Sequence, residues 1–264
     1  MLPRPEINFN RTPVTLIIAA IAVALELACT LDEFRWGDDA GRRVAYYNDY
    51  LGILPRIWQG QLWRPFTSTL MHGDLIHAGF NVYVLLMFAP ALENLFGSYR
   101  MLGLIVLLGY VSMMPEYVIG SYHRDEPVMI VGLSGIVYGL FGMLWIGRRF
   151  RAELNAVCSD STSMFLLGWF VLCIFMTYSG VMSIASIAHG AGFAFGVLYG
   201  LVAFDVRRRK RWIPLACFLS AMVLTTLIAC PGHRGYEYVR QRQKVERMLE
   251  ELQKPRPVQE RDGR

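Results

Sequence analysis

Charge is scarce in this chain. Only 18% of its 264 residues are charged and 54% are hydrophobic, where a soluble domain carries about 25% charge. The mean hydropathy is +0.35, and the apolar residues are gathered into long runs, which excludes an ordinary soluble globule. Cysteine is sparse too: Cys29, Cys158, Cys173, Cys217 and Cys230 are far apart, and four lie in or at the end of apolar runs. That pattern is neither a disulfide framework nor a zinc site, and the cysteines read as small apolar packing residues. Acidic residues are outnumbered, 21 against 26 Lys+Arg, for a net charge of +5. The basic residues cluster in loops between the runs, where a membrane explains them better than nucleic acid, which would draw them over one face of a domain.

Seven apolar stretches are present: Val14–Cys29, Ala78–Leu92, Met101–Met114, Val128–Ile146, Ser163–Met182, Ile184–Phe204 and Trp212–Cys230. A spanning helix needs about 20 residues. Four stretches have 19 or more. The second can borrow Leu75–His77 and Glu93–Phe96, and the third can run on through Tyr117–Ile119 past Pro115. Only helices suit these spans, because a bilayer leaves irregular backbone unsatisfied. The expected fold is all-α: a polytopic membrane helical bundle, with a six-span core over residues 14–204 and a C-terminal seventh span over 212–230. Residues 1–13 precede the core and 30–76 form a long first loop. Residues 231–264 form a polar tail, with Glu237–Leu252 as a solvated helix. No small-residue cleavage site follows the first run, where Leu31-Asp32-Glu33-Phe34 stands, so that run is expected to stay as a span.

Positive residues mark the cytoplasmic side. Arg148, Arg149 and Arg151 follow the fourth run, and Arg207, Arg208, Arg209, Lys210 and Arg211 follow the sixth. The N-terminus is therefore expected in the cytoplasm, with the first loop and the acidic segment holding Glu116, Asp125 and Glu126 on the other side. The tail falls outside as well, although its nine Lys/Arg against six Asp/Glu strain the rule. Trp36, Trp58 and Trp63 suggest that the first loop touches the lipid interface.

Polar groups inside apolar runs are costly and mark functional sites. Three places stand out: His77 with Asn81, Ser134 within Gly132-Leu133-Ser134-Gly135, and His189 within Ala188-His189-Gly190-Ala191-Gly192. If each run is helical from its first residue, Ser134 lies about 9 Å in and His189 about 7.5 Å in. His77 and Asn81 sit at the matching end of theirs. Gly192, Gly196 and Gly200 share the face of His189, and Gly135, Gly139 and Gly142 form a similar stripe. Small residues at this spacing let two helices approach closely, which would bring His189 within reach of Ser134. A serine hydroxyl needs a base to take its proton, and His189 is the only histidine deep in a later span. Negative charge on an attacked carbonyl needs preorganised donors. His77 and Asn81, four apart on one face, could supply them with the Ser134 backbone N–H. Tyr138, one turn after Ser134, could support the imidazole.

At these residues the sequence resembles the rhomboid family of intramembrane serine proteases. Gly132-Leu133-Ser134-Gly135 matches its GxSG, and Ala188-His189 with Gly192 and Gly196 matches its AHxxGxxxG. His72, His77 and Asn81 match its histidine-rich second span, Trp63-Arg64 its paired Trp-Arg, and Glu93 with Gly97 its ExxxG. The resemblance implies Ser134 as nucleophile and His189 as base, with His77, Asn81 and the Ser134 amide in the oxyanion hole. Tyr138 would pack on the histidine, Arg64 and Glu93 would be structural, and His72 would serve structure or hydration. It implies cleavage of transmembrane protein substrates near the outer leaflet through an acyl-enzyme. No cofactor, metal or nucleic acid is implied, and the lipid bilayer is the surrounding partner. A bacterial plasma (inner) membrane is the expected location. The polar entrance would be His72, Asp74 and His77, and the gate the lipid-facing side near the fifth span.

Two other classes stay open. A non-catalytic relative that binds transmembrane helices would resemble the same family, although such relatives typically lack the serine or the histidine. A transporter would use buried histidines to relay protons, but no internal repeat is visible. HExxH and a GxGD aspartate pair, the signatures of other intramembrane proteases, are absent.

Overall fold

A computed structural model describes residues 8–36, 55–120, 131–182 and 184–253. The helices are α1 Pro13–Trp36, α2 Leu75–Phe96, α3 Ser98–Pro115, α4 Ser134–Gly147, α5 Asp160–Tyr178, α6 Ser186–Phe204, α7 Arg209–Thr225 and α8 Arg234–Gln253. The described residues hold no strand. Five helices, α1, α2, α3, α5 and α6, are long and apolar enough to cross a membrane. The chain is an integral, multi-pass membrane protein built as an all-helical bundle.

Several boundaries follow from local chemistry. Asp74 caps α2, its Oδ1 accepting the His77 backbone N–H at 2.7 Å. As the sequence suggests, α2 takes in Leu75–His77 and Glu93–Phe96. The third span also continues past Pro115, as a wide π turn over Glu116–Gly120. Other boundaries differ from expectation. α1 runs on to Trp36, into what reads as the first loop. α4 begins only at Ser134, so residues 131–133 of the fourth run are not helical, and 128–130 lie outside the described residues, as do Asp125 and Glu126. α7 has 17 residues and opens on Arg209-Lys210-Arg211, so length and apolarity do not by themselves mark it as a span. It packs on α6, with Tyr199 Oη and Ser220 Oγ 2.7 Å apart.

α4 is the axis of the bundle. Gly135 to Leu144 are all buried, and a helix apolar all round belongs in the middle of a protein. α6 lies along it in the most extensive helix contact among the described residues. α5 is its opposite, mostly exposed on a face suited to lipid.

A buried carboxylate ties the first three spans together. Glu93, fully buried in α2, accepts N–H bonds from Val14 at 3.0 Å and Thr15 at 2.9 Å. It also accepts hydroxyl bonds from Thr15 at 2.6 Å and Ser98 at 2.7 Å. It thereby satisfies donors at the start of α1, where the helix dipole favours negative charge. Arg64 is likewise buried, with Nε donating to Gln61 Oε1 at 2.7 Å.

Trp58 departs from the lipid-anchor expectation. It packs against Tyr117, His233 and Tyr236 at centroid distances of 5.0–5.5 Å and donates Nε1–H to the Thr226 carbonyl at 2.9 Å. The tail helix α8 is thus docked on the first loop, so both lie on one face of the bundle. Trp63 is exposed, and the side chain of Trp36 lies outside the described residues.

Candidate active site

The site is assembled at the end of the α4–α6 crossing. A Cβ on Gly192 would run into the carbonyl oxygen of Gly135, and one on Gly196 into the carbonyl of Gly139. The two backbones therefore touch, and only glycine permits it. A Cβ on Gly135 would in turn lie 3.5 Å from the Ala188 carbonyl. Residues 135 and 188 are the immediate neighbours of Ser134 and His189, so those two stand on the adjoining first turns of α4 and α6. Tyr138, one turn after Ser134, stacks on His189 with centroids 4.7 Å apart and planes at 23°. Phe170 of α5 lies beside both rings, its centroid 5.7 Å from that of Tyr138 and 6.5 Å from that of His189.

Ser134 is half-buried and His189 is buried. Their side chains share no hydrogen bond, and His189 Nδ1 has no partner among the described residues. Catalytic bonds are often long in unliganded sites and tighten only around substrate.

The loop before Ser134 is gripped from α2. Gly132 has φ +113, a conformation that favours glycine. A Cβ there would lie 2.9 Å from His77 Cε1, 3.0 Å from His77 Nε2 and 3.6 Å from Asn81 Nδ2. His77 and Asn81 therefore converge on the peptide two residues before Ser134. Asn81 is buried and its Nδ2 has no hydrogen-bond partner, a costly state that a bound oxyanion would relieve. The Ser134 N–H stands at the first position of α4, where no intrahelical acceptor exists.

His72 sits beside this group with a structural contact. Its Nε2 accepts the Leu133 N–H at 3.3 Å, and its ring lies edge-on to His77 with centroids 5.1 Å apart. Burial, and after it the neighbouring His77, lowers the His72 pKa from 6.5 to about 3. It is thus neutral at working pH and free to accept that bond.

The structure also brings in residues that the sequence did not single out for the site. Phe80 of α2 and Trp169 of α5 meet at 5.9 Å on the lipid-facing side, both partly exposed. Thr177 Oγ1 donates to the Ile184 carbonyl at 3.1 Å and lies 3.1 Å from Ser186 Oγ, clasping the C-terminal end of α5 to the start of α6. Leu166 of α5 is a further one, its carbonyl accepting from Oη of the already expected Tyr138 at 2.9 Å. Glu116 of the π turn reaches the first turn of α6. Among the described residues no group of three or more His, Cys, Asp or Glu is placed to hold a metal.

These features define a multi-pass membrane protein with a serine and a histidine on adjoining helices, beside unpaired donors. The Rhomboid domain family matches residues 59–206, which hold every motif residue above. The "Putative rhomboid protease YdcA" of Bacillus subtilis (strain 168) is 30% identical over 203 residues, covering 75% of this chain and 92% of that protein. The chain belongs to the rhomboid family of intramembrane proteases.

Proposed function

We propose that the protein is a serine endopeptidase that cuts transmembrane segments of other membrane proteins near the outer leaflet. The observation that carries the reading is the glycine-lined α4–α6 contact, with Tyr138 of the Ser134 helix stacked on His189. Ser134 Oγ attacks the scissile carbonyl as His189 takes its proton. The oxyanion is held by the Ser134 N–H, Asn81 and His77. The imidazolium returns the proton to the leaving amine, and water then hydrolyses the acyl-enzyme by the same route. Gly132, Gly135, Gly192 and Gly196 supply the close approach, and Tyr138 and His72 support the two sides.

Depth supports the outer-leaflet assignment. α4 has 14 residues, about 21 Å long at its helical rise, against a hydrocarbon core of about 30 Å. With its Arg148–Arg151 end at the cytoplasmic surface, Ser134 lies about 9 Å below the outer one. The N-terminus then lies in the cytoplasm, and a bacterial inner membrane is the proposed location. The test is a single-span substrate co-reconstituted in liposomes. The cut should map to the outer third of its span, and a cut in its soluble part would contradict the reading.

Two predictions arise at this site. Asn81→Ala should lower kcat by about 10²-fold with KM little changed, because its bond strengthens only as charge develops. A change in KM alone would count against the oxyanion role. The Phe80–Trp169 contact is proposed as the lateral gate, since α5 is the least-packed span. An aromatic pair contributes about 0.5–1.5 kcal/mol, so Phe80→Ala should raise cleavage about 2- to 12-fold by favouring the open form. A slower rate with unchanged thermal stability would refute the gate.

A further inference from the structure

α6 carries His189 in its first turn, yet it has no capping side chain of its own. Its N-cap is Ala185, which makes no side-chain cap bond, and Ser186 is engaged by Thr177. The cap comes from another helix. Glu116, buried at the end of the third span, accepts the Ala188 N–H through Oε2 at 2.9 Å. Ala188 is the third residue of α6, where N-caps accept, and a carboxylate suits the positive end of the helix dipole. The surroundings are shaped for it: a Cβ on Gly120 would strike Glu116 Oε1. One turn earlier on the same face, Ser112 Oγ lies 2.6 Å from where a Gly135 Cβ would stand. The third span thus touches both the residue after Ser134 and the residue before His189.

We propose that Glu116 is a positioning residue for the reaction. It borrows the α6 N-terminus as a docking point and holds the His189 turn in register with Ser134. This rests on the Ser134–His189 reading above. Without the cap the first turn of α6 frays, and the imidazole moves relative to a hydroxyl it must meet within hydrogen-bond distance. A displacement of about 1 Å at such a pair costs about 10²-fold in rate.

The experiment uses the full chain in liposomes with a single-span substrate, comparing Glu116→Met and Glu116→Gln with the parent. Met keeps the length and burial but removes the strong acceptor, whereas Gln keeps a carbonyl oxygen for the Ala188 N–H. Glu116→Met should lower kcat about 10- to 100-fold with KM within about threefold, and Glu116→Gln should stay within about threefold of the parent in both. A merely structural loss would lower the melting temperature without this split and without rescue by Gln. Parent-like kcat in the Met variant, or a Gln variant as slow as Met, overturns the proposal. If Met does not fold, Gln decides: near-parent kcat supports the cap and a tenfold loss overturns it. A parent protein that neither cleaves nor reacts with a fluorophosphonate overturns instead the dyad reading beneath it.

Discussion

Ser134→Ala should abolish cleavage of a reconstituted single-span substrate, a fall on the order of 10⁴-fold or more. His189→Ala should fall as far. The two act as one unit, since the hydroxyl is inert until the imidazole takes its proton. The double variant should therefore be no slower than either single one. The folded state should survive both changes, because neither side chain has a hydrogen-bond partner among the described residues. Ser134 stands half-buried at the start of α4, and the Tyr138 ring packs on Phe141 and Phe170 as well as on His189. Rates close to the parent's in either variant would remove the mechanism.

The second large effect comes from one methyl group. Gly192→Ala puts a Cβ onto the Gly135 carbonyl oxygen, with the carbonyl carbon at 3.0 Å and Cα at 3.4 Å. Those are backbone atoms of the central helix, so no side chain can swing aside. α6 must back away from α4 by on the order of 1 Å, carrying His189 with it. The expected cost is about 1–3 kcal/mol of stability and about 10²-fold in rate. Gly103→Ala in α3 is the matched control, since its Cβ would meet nothing within 4 Å. There alanine should stabilise the helix by about 0.5–1 kcal/mol and leave cleavage unchanged. Equal behaviour of the two variants, read by thermal unfolding and turnover, would show that the close contact is not what aligns the pair.

Much of this arrangement is legible in the chain. The apolar runs locate the helices, and the extension of α2 into its polar flanks and of the third span past Pro115 follow from length alone. The glycine stripes on α4 and α6 foretell their contact, because small residues at helical spacing leave a groove for a backbone. The start of α4 is not legible. Val131 and Leu133 are as apolar as the helix that follows, and a buried loop and a buried helix share that composition. A depth counted along the fourth run needs helix before Ser134, whereas residues 131–133 are irregular. Glu116 reads as a loop-edge charge because its partner, Ala188, is 72 residues away. Phe80 and Trp169 look like any lipid-facing aromatics until the helices are set side by side. Trp58 looks like an interface anchor for the same reason, whereas it serves as the seat of the tail helix.

The most direct test is covalent labelling of the intact protein in liposomes with a fluorophosphonate, followed by mass mapping of the modified residue. The account predicts a single adduct on Ser134, absent in Ser134→Ala and strongly slowed in His189→Ala. An adduct on another residue, or labelling of Ser134 at the same rate without His189, would contradict it.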